Sequence, residues 1–146
     1  MSLRGFRPGS ALAVLCLSLL VVGCGSEGPH VVKVTGTVTR GGKPVERLVV
    51  NFWPHKGRPS WGVTDPEGRY TLNYERHRDG AVVGPHKVWV EIRPSSPKEE
   101  ADLRSGQIKL HPEMNAILQK YGQDSTPLQK VEVKDEDPQV IDLKLD

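Results

Sequence analysis

Cysteine, histidine, acidic and tryptophan side chains carry what chemistry this 146-residue chain has to offer, and their spacing sorts them. Cys24 closes the run Leu20-Val21-Val22-Gly23-Cys24, so one thiol follows small residues at a scission point, where it can accept an acyl group. The five histidines, at 30, 55, 77, 86 and 111, are the metal-ligating candidates. None stands four residues from another, as two imidazoles sharing an ion from one helical turn must, so no metal is expected. Asp65 and Glu67 offer paired carboxylates or a calcium site. With Pro66 between them and Gly68 after, they read instead as a structural turn: proline presets φ, Asp65 caps locally and Gly68 accepts a positive φ. No nucleophile elbow, zinc-protease signature, phosphate loop or dinucleotide fingerprint occurs. The chain is therefore expected to have no catalytic residues and no cofactor.

The elements that position these residues begin with a leader. Arg4 and Arg7 precede an apolar run from Ala11 to Val22, too short to span a bilayer as a stable helix, which defines an export signal rather than an anchor. The pattern resembles bacterial lipoprotein signal peptides. The resemblance implies that residues 1–23 are removed, that the Cys24 thiol carries a diacylglyceryl group and that the new amino terminus is acylated, commonly with palmitate. Two or three chains make anchoring stable, because each buried methylene contributes about 0.8 kcal/mol and one chain alone holds only marginally. Gly25, rather than Asp, follows the cysteine, which by the same resemblance favours the outer membrane of the cell envelope.

Processing also changes the charge. Arg4 and Arg7 leave with the leader and no acid does, so the 20 basic and 18 acidic residues become 18 of each. A balanced surface gives no reason to expect nucleic-acid binding, which needs a clustered basic face. Cys16 also leaves, so Cys24 has no intrachain disulfide partner and the fold must rest on its core. After a tether at 24–30, residues 31–146 suffice for one domain that buries about 65% of the unfolded chain's surface.

Within that domain the pattern is period two, with turns between. Val32, Val34 and Val38 alternate with Lys33, Thr35 and Thr37, and Gly41 to Pro44 ends the strand. Leu48, Val50 and Phe52 mark a second strand stopped by Pro54, and Trp61 with Val63 a third. Tyr70, Leu72 and Tyr74 make the return strand. His86, Val88, Val90 and Ile92 make the fifth, with His86 in phase with the core. Val131 and Val133, then Ile141, Leu143 and Leu145, supply two more. Seven strands with Gly- and Pro-rich turns predict an all-β, antiparallel β-sandwich.

Alternation fails over 94–127, a long insertion. Pro112 to Tyr121 is expected to form one short helix with Met114, Ile117, Leu118 and Tyr121 on one side and Gly122 as terminator. The charged stretch Ser95 to Ser105 is expected to be mobile. Trp53 and Trp89 fall out of phase with the core set, on the outer sheet face. Trp53, Trp61 and Trp89 are thus a candidate binding surface for a glycan or protein partner. The competing expectation is that the 94–127 segment lies over Trp53 and Trp89 and makes them structural.

Four pieces in order carry a more specific likeness: Gly36-Thr37-Val38, Gly42-Lys43-Pro44, Thr64-Asp65-Pro66-Glu67-Gly68-Arg69-Tyr70 and Gly84-Pro85-His86-Lys87-Val88. Together, from about Val31 to Ile92, they resemble the carboxypeptidase regulatory-like, or transthyretin-like, β-sandwich domain. Lys120-Tyr121 and Ser125-Thr126-Pro127-Leu128 further resemble a family of small bacterial lipoproteins built on it. What the resemblance implies is a lipid-anchored, non-catalytic envelope domain, structural or binding an envelope protein or glycan. The same fold hosts a hydrolase of 5-hydroxyisourate, marked by a terminal Tyr-Arg-Gly-Ser motif. This chain ends Asp142-Leu143-Lys144-Leu145-Asp146, which ranks that alternative enzyme below the binding domain.

Replacing the acyl acceptor tests the leader directly. Cys24→Ser is expected to abolish palmitate incorporation and membrane partitioning when mass spectra of membrane fractions are compared with wild type. An unchanged distribution would contradict the assignment.

Overall fold

The computed structural model describes residues 28–123 and 129–146. The leader, Cys24, most of the tether and residues 124–128 of the long connection lie outside the described residues. Alternating valine and threonine make β1 (Val31–Val32) and β2 (Val34–Arg40), and a tight turn returns the chain as β3 (Lys43–Pro44). Next come β4 (Leu48–Pro54) and β5 (Ser60–Val63). The Asp65 turn leads to β6 (Arg69–Thr71), β7 (Asn73–Glu75), β8 (Arg78–Asp79), β9 (Ala81–Val82) and the long β10 (Gly84–Ile92). Two helices, α1 (Pro97–Ser105) and α2 (Pro112–Tyr121), precede β11 (Gln129–Val133), β12 (Gln139–Val140) and β13 (Leu143–Lys144).

The chain is mostly β, in open sheets. A six-stranded sheet runs β11-β10-β4-β5-β7-β8 and is antiparallel throughout. A second sheet centres on β2, which pairs with β3, β6, β12 and β13, while β1 and β9 form a small pair. Residues of both larger sheets meet in one core: Val34, Val38 and Leu143 from the β2 sheet cluster with Leu48, Val50, Phe52, Val88 and Val90 from the other. Each such side chain contributes about 1.5–3 kcal/mol on burial.

Several expectations need correction. Instead of seven strands the described residues form thirteen short ones. The single strand expected over Tyr70 to Tyr74 is two, because the chain changes sheets there: β6 pairs with β2, whereas β7 pairs with β5. Leu72 sits at the crossing, donating its N–H to Val34 O at 3.0 Å. Nor is every pairing antiparallel, since β12 and β13 run parallel to β2. Alternation along a strand states which face is buried but not the direction of its neighbour.

The described part of the long connection holds more helix than its composition suggests. Ser95 to Ser105, expected to be mobile, contains α1. Ser96 is its N-cap, with Oγ accepting from Glu99 N at 3.1 Å, Pro97 opens the first turn, and Gly106 ends it in the left-handed region. Helix α2 has its expected bounds. It does not cover Trp53: Ile117, 2% exposed, enters the main core, and Met114, Leu118 and Tyr121 pack against the same cluster. Trp53 remains 50% exposed, so the expectation that this segment covers Trp53 fails.

Gly68 adopts φ 73°, as its turn requires. Its N–H donates to Asp65 O at 2.8 Å, and its own carbonyl accepts from Val38 N at 2.8 Å. A Cβ there would lie 2.6 Å from Val38 O. Gly68→Val therefore combines a left-handed β-branched residue with a backbone clash, and should lower stability by at least about 2 kcal/mol. Thermal unfolding that matches wild type would refute this account of the turn.

Candidate functional site

The inward set Leu48, Val50 and Phe52 fixes the opposite face of β4 as Val49, Asn51 and Trp53. Strand register then composes the face. Asn51 stands opposite Trp89 on β10 and opposite Trp61 on β5, and Trp61 stands opposite Asn73 on β7. Directly opposed residues share a face. A row of Trp89, Asn51, Trp61 and Asn73 thus crosses four adjacent strands, with aromatic and amide side chains alternating.

The three tryptophans of the candidate surface are not equivalent. Trp53 and Trp61 are about half-exposed, whereas Trp89 is 8% exposed. Trp89 packs against Trp53 with ring centroids 5.7 Å apart, and its Nε1 donates to Glu91 Oε1 at 3.1 Å. It supports the face rather than presenting it. Asn51 Nδ2 is buried in the row and has no hydrogen-bond partner among the described residues. Asn73 Nδ2 donates to Trp61 O and Thr71 O, both at 3.3 Å.

Trp61 is also one wall of a cleft of about 690 Å³ where β5 and β7 of one sheet meet β2 and β6 of the other, whose other sides bring Asn73, Thr35, Thr37, Asp65, Arg69 and Asp142 together. Beside the cleft β5 approaches the sheet crossing closely; a Cβ at Gly62 would lie 2.4 Å from Thr71 O. Asp142 accepts from Thr37 N at 2.8 Å and from Thr37 Oγ1 at 2.7 Å. Asp65 accepts from the Glu67 and Arg69 amides and from Arg69 Nε at 2.9 Å. Desolvation raises the Asp65 carboxyl, but those amides and the Arg69 guanidinium outweigh it and hold the pKa below its ordinary value. Both carboxylates are thereby fixed as hydrogen-bond acceptors. A larger groove, about 830 Å³, lies between the helices and the β4–β10 edge. Its Leu103 and Leu118 alternate with ions of both signs, and no set of functional groups converges there.

The histidines are dispersed. His30 pairs with Asp135 at 2.6 Å on the surface, His111 Nδ1 accepts from Glu113 N at the start of α2, and His55 and His77 are exposed. Among the described residues no three His, Cys, Asp or Glu side chains form a metal-binding group. His86 is 2% exposed and its ring lies 5.8 Å from that of Phe52. Its Nδ1 lies 2.9 Å from Gly84 O; a carbonyl only accepts, so Nδ1 carries the proton, and Nε2 is buried with no partner among the described residues.

Sequence reasoning did not find Asn51, Asn73 or the Thr37–Asp142 pair. Phase alone places Asn51 on the tryptophan face, but only register brings it between Trp61 and Trp89. No protein family, curated protein or solved structure matches the chain.

Burial lowers the His86 pKa from 6.5, against the opposing pull of the Gly84 carbonyl and the Glu132 charge. Below pH about 6.5 the unfolded chain therefore binds more protons than the folded one, and stability falls as pH drops toward the folded pKa, by at most about 1.4 kcal/mol per pH unit. Melting curves from pH 7.5 to 5.5 should show a shallower pH dependence for His86→Phe than for wild type. Identical slopes would contradict the assignment.

Proposed function

We propose that this protein is a lipid-anchored, non-catalytic domain of the cell envelope, a β-sandwich of the transthyretin-like kind, that binds an uncharged glycan on the Trp61 face. The observation that carries this reading is a half-exposed indole walling a cleft that also presents the Asn73 amide, threonine hydroxyls and the Asp65 and Asp142 carboxylates, beside Val63, Val140 and the Arg69 guanidinium. A pyranose ring has an apolar C–H face that packs on an indole, and hydroxyls at its rim that donate to carboxylates and accept from amides. Trp53, diagonal to Trp61 across the β4–β5 pair, extends the aromatic surface beyond a single ring. Asp65 is tied to Arg69 and Asp142 adds a second negative charge, so the cleft suits a ligand that offers hydroxyl donors and carries no negative charge.

The non-catalytic part of the proposal is supported by the state of the two acids. Both are committed to donors in the fold, and Asp65 is held toward its ionised form, opposite to what a proton-donating acid needs. The anchor part rests on Cys24, and Gly25 beside it supports retention at the outer membrane.

Titration of the protein with neutral oligosaccharides, including N-acetylglucosamine-containing cell-wall fragments, should perturb tryptophan emission and give a saturable isotherm by calorimetry. Trp61→Ala is expected to weaken binding about tenfold, the size of one aromatic contact of about 1.4 kcal/mol, while Trp89→Phe leaves it nearly unchanged. Equal affinity of Trp61→Ala and wild type would overturn the assignment of the cleft.

A further inference from the structure

The chain's basic residues balance its acids overall, but the fold does not distribute them evenly. The β7–β8 hairpin carries Arg76, His77 and Arg78 at its tip, and the loop before β5 brings Arg58 beside it, around a hollow of about 430 Å³. All four side chains are exposed. Glu75 offsets one charge by pairing with Arg58 at 3.1 Å, and Arg76 has no partner among the described residues.

This cluster sits where the described chain begins. Arg78 Nη2 donates to Pro29 O at 3.0 Å, its guanidinium lies 5.7 Å from the centre of the Tyr74 ring, and β1 pairs with β9 just beyond the hairpin. Only four peptide steps separate Cys24 from Gly28, and even fully extended they reach about 14 Å. A lipid on Cys24 therefore holds the Arg58, Arg76 and Arg78 end of the domain near the bilayer. There the headgroup layer is roughly 5–7 Å deep and the surface field extends about 8 Å.

We propose that Arg58, Arg76, His77 and Arg78 form a membrane-facing rim that docks on the phosphates of anionic phospholipids. The inference rests on the lipidation of Cys24 given above. Guanidinium groups suit phosphate oxygens, to which they can donate two parallel hydrogen bonds. The rim supplies the second, electrostatic signal that commonly joins acyl chains at a membrane. It also does what the acyl chains alone cannot: by engaging headgroups it limits rotation about the short tether and sets which side of the domain faces away from the bilayer.

The test uses the full, processed protein in vesicles of phosphatidylcholine, with or without phosphatidylglycerol. Amide hydrogen exchange is read over 75–79, and acylation is measured by mass spectrometry on the same samples. Exchange in the hairpin should slow at least about fivefold with phosphatidylglycerol, the change that one basic residue is worth at an anionic surface. The protection should vanish in high salt and in Arg58→Glu/Arg76→Glu, while acylation and the melting temperature persist. Acylated protein whose hairpin exchanges equally in both vesicles would overturn the rim and leave the anchor standing. Unacylated protein that does not float with vesicles would overturn the anchor and the rim with it. Equal protection by inorganic phosphate without vesicles would also overturn the assignment to lipid.

Discussion

The close seating of the C-terminal segment on β2 is the constraint on which the rest of the structure depends. Ile141 places its carbonyl so near Gly36 that a Cβ there would stand 1.8 Å from the oxygen, so no other residue type fits without moving the backbone. Around that contact Ile141 N donates to Thr35 O at 2.8 Å, Tyr70 Oη donates to Ile141 O at 2.6 Å, and Thr37 is bonded twice to Asp142. Burial and the Asp142 charge raise the Tyr70 pKa far above its ordinary value, which keeps the phenol protonated and donating. The seating joins β12 and β13 to β2 in parallel and delivers Leu143 and Leu145 to the core. It also puts the Asp142 carboxylate on the cleft wall opposite Trp61. Core and candidate site share one junction.

The second anchoring problem is the long connection between β10 and β11, and here burial rather than charge decides. Helix α1 buries no residue, and its most direct tie is the Glu99–Arg47 pair at 2.6 Å. Arg47 is 40% exposed on its side chain, so the pair is worth no more than about 1 kcal/mol. Arg47 itself sits at φ 62°, a conformation that costs a non-glycine residue about 1–3 kcal/mol. That backbone is held by its own bonds, its carbonyl accepting from Arg93 N at 2.7 Å and its N–H reaching Thr64 O. What fixes the connection is α2, where Ile117 enters the core and Lys120 and Tyr121 both bond the Asp146 carbonyl. The apolar stripe of α2 was legible in the sequence because it follows the helical period. Helix α1 has no such stripe, and its only signals were Ser96, Pro97 and Glu99 at capping positions.

The same distinction separates what the sequence disclosed about the sheets from what it hid. Burial of Leu48, Val50, Phe52, Val88 and Val90, the inward phase of His86 and the positive φ of Gly68 all follow from local alternation or local turn chemistry, and could be read. Trp61 marked a strand, yet its inward neighbours are the small Ser60 and Gly62, so composition favoured the wrong side of that strand as the apolar one. The row of Trp89, Asn51, Trp61 and Asn73 depends on the register of three strand pairs. The basic end depends on a fold that brings residue 58 beside residue 76, which no count of charges can show. Trp89 is buried, as the covering expectation had it for both rings, whereas its diagonal neighbour Trp53 stays half-exposed, a difference that phase alone cannot show because both lie on one face.

These placements bear on one another through β7. Asn73 faces Trp61 at the cleft, and Glu75, two residues along the same strand, opens the hairpin that carries the arginine rim. Two residues of strand span about 7 Å. If the rim rests on headgroups as proposed, the cleft would stand only a short distance above the bilayer, within reach of saccharides close to the membrane and far from those deep in a thick wall. A lipid on Cys24 would sharpen that limit, because four peptide steps allow little lift. Under the proposed reading, selection of ligand by height would come from the fold and its anchor together, and selection by chemistry from Trp61 and its amide and hydroxyl neighbours.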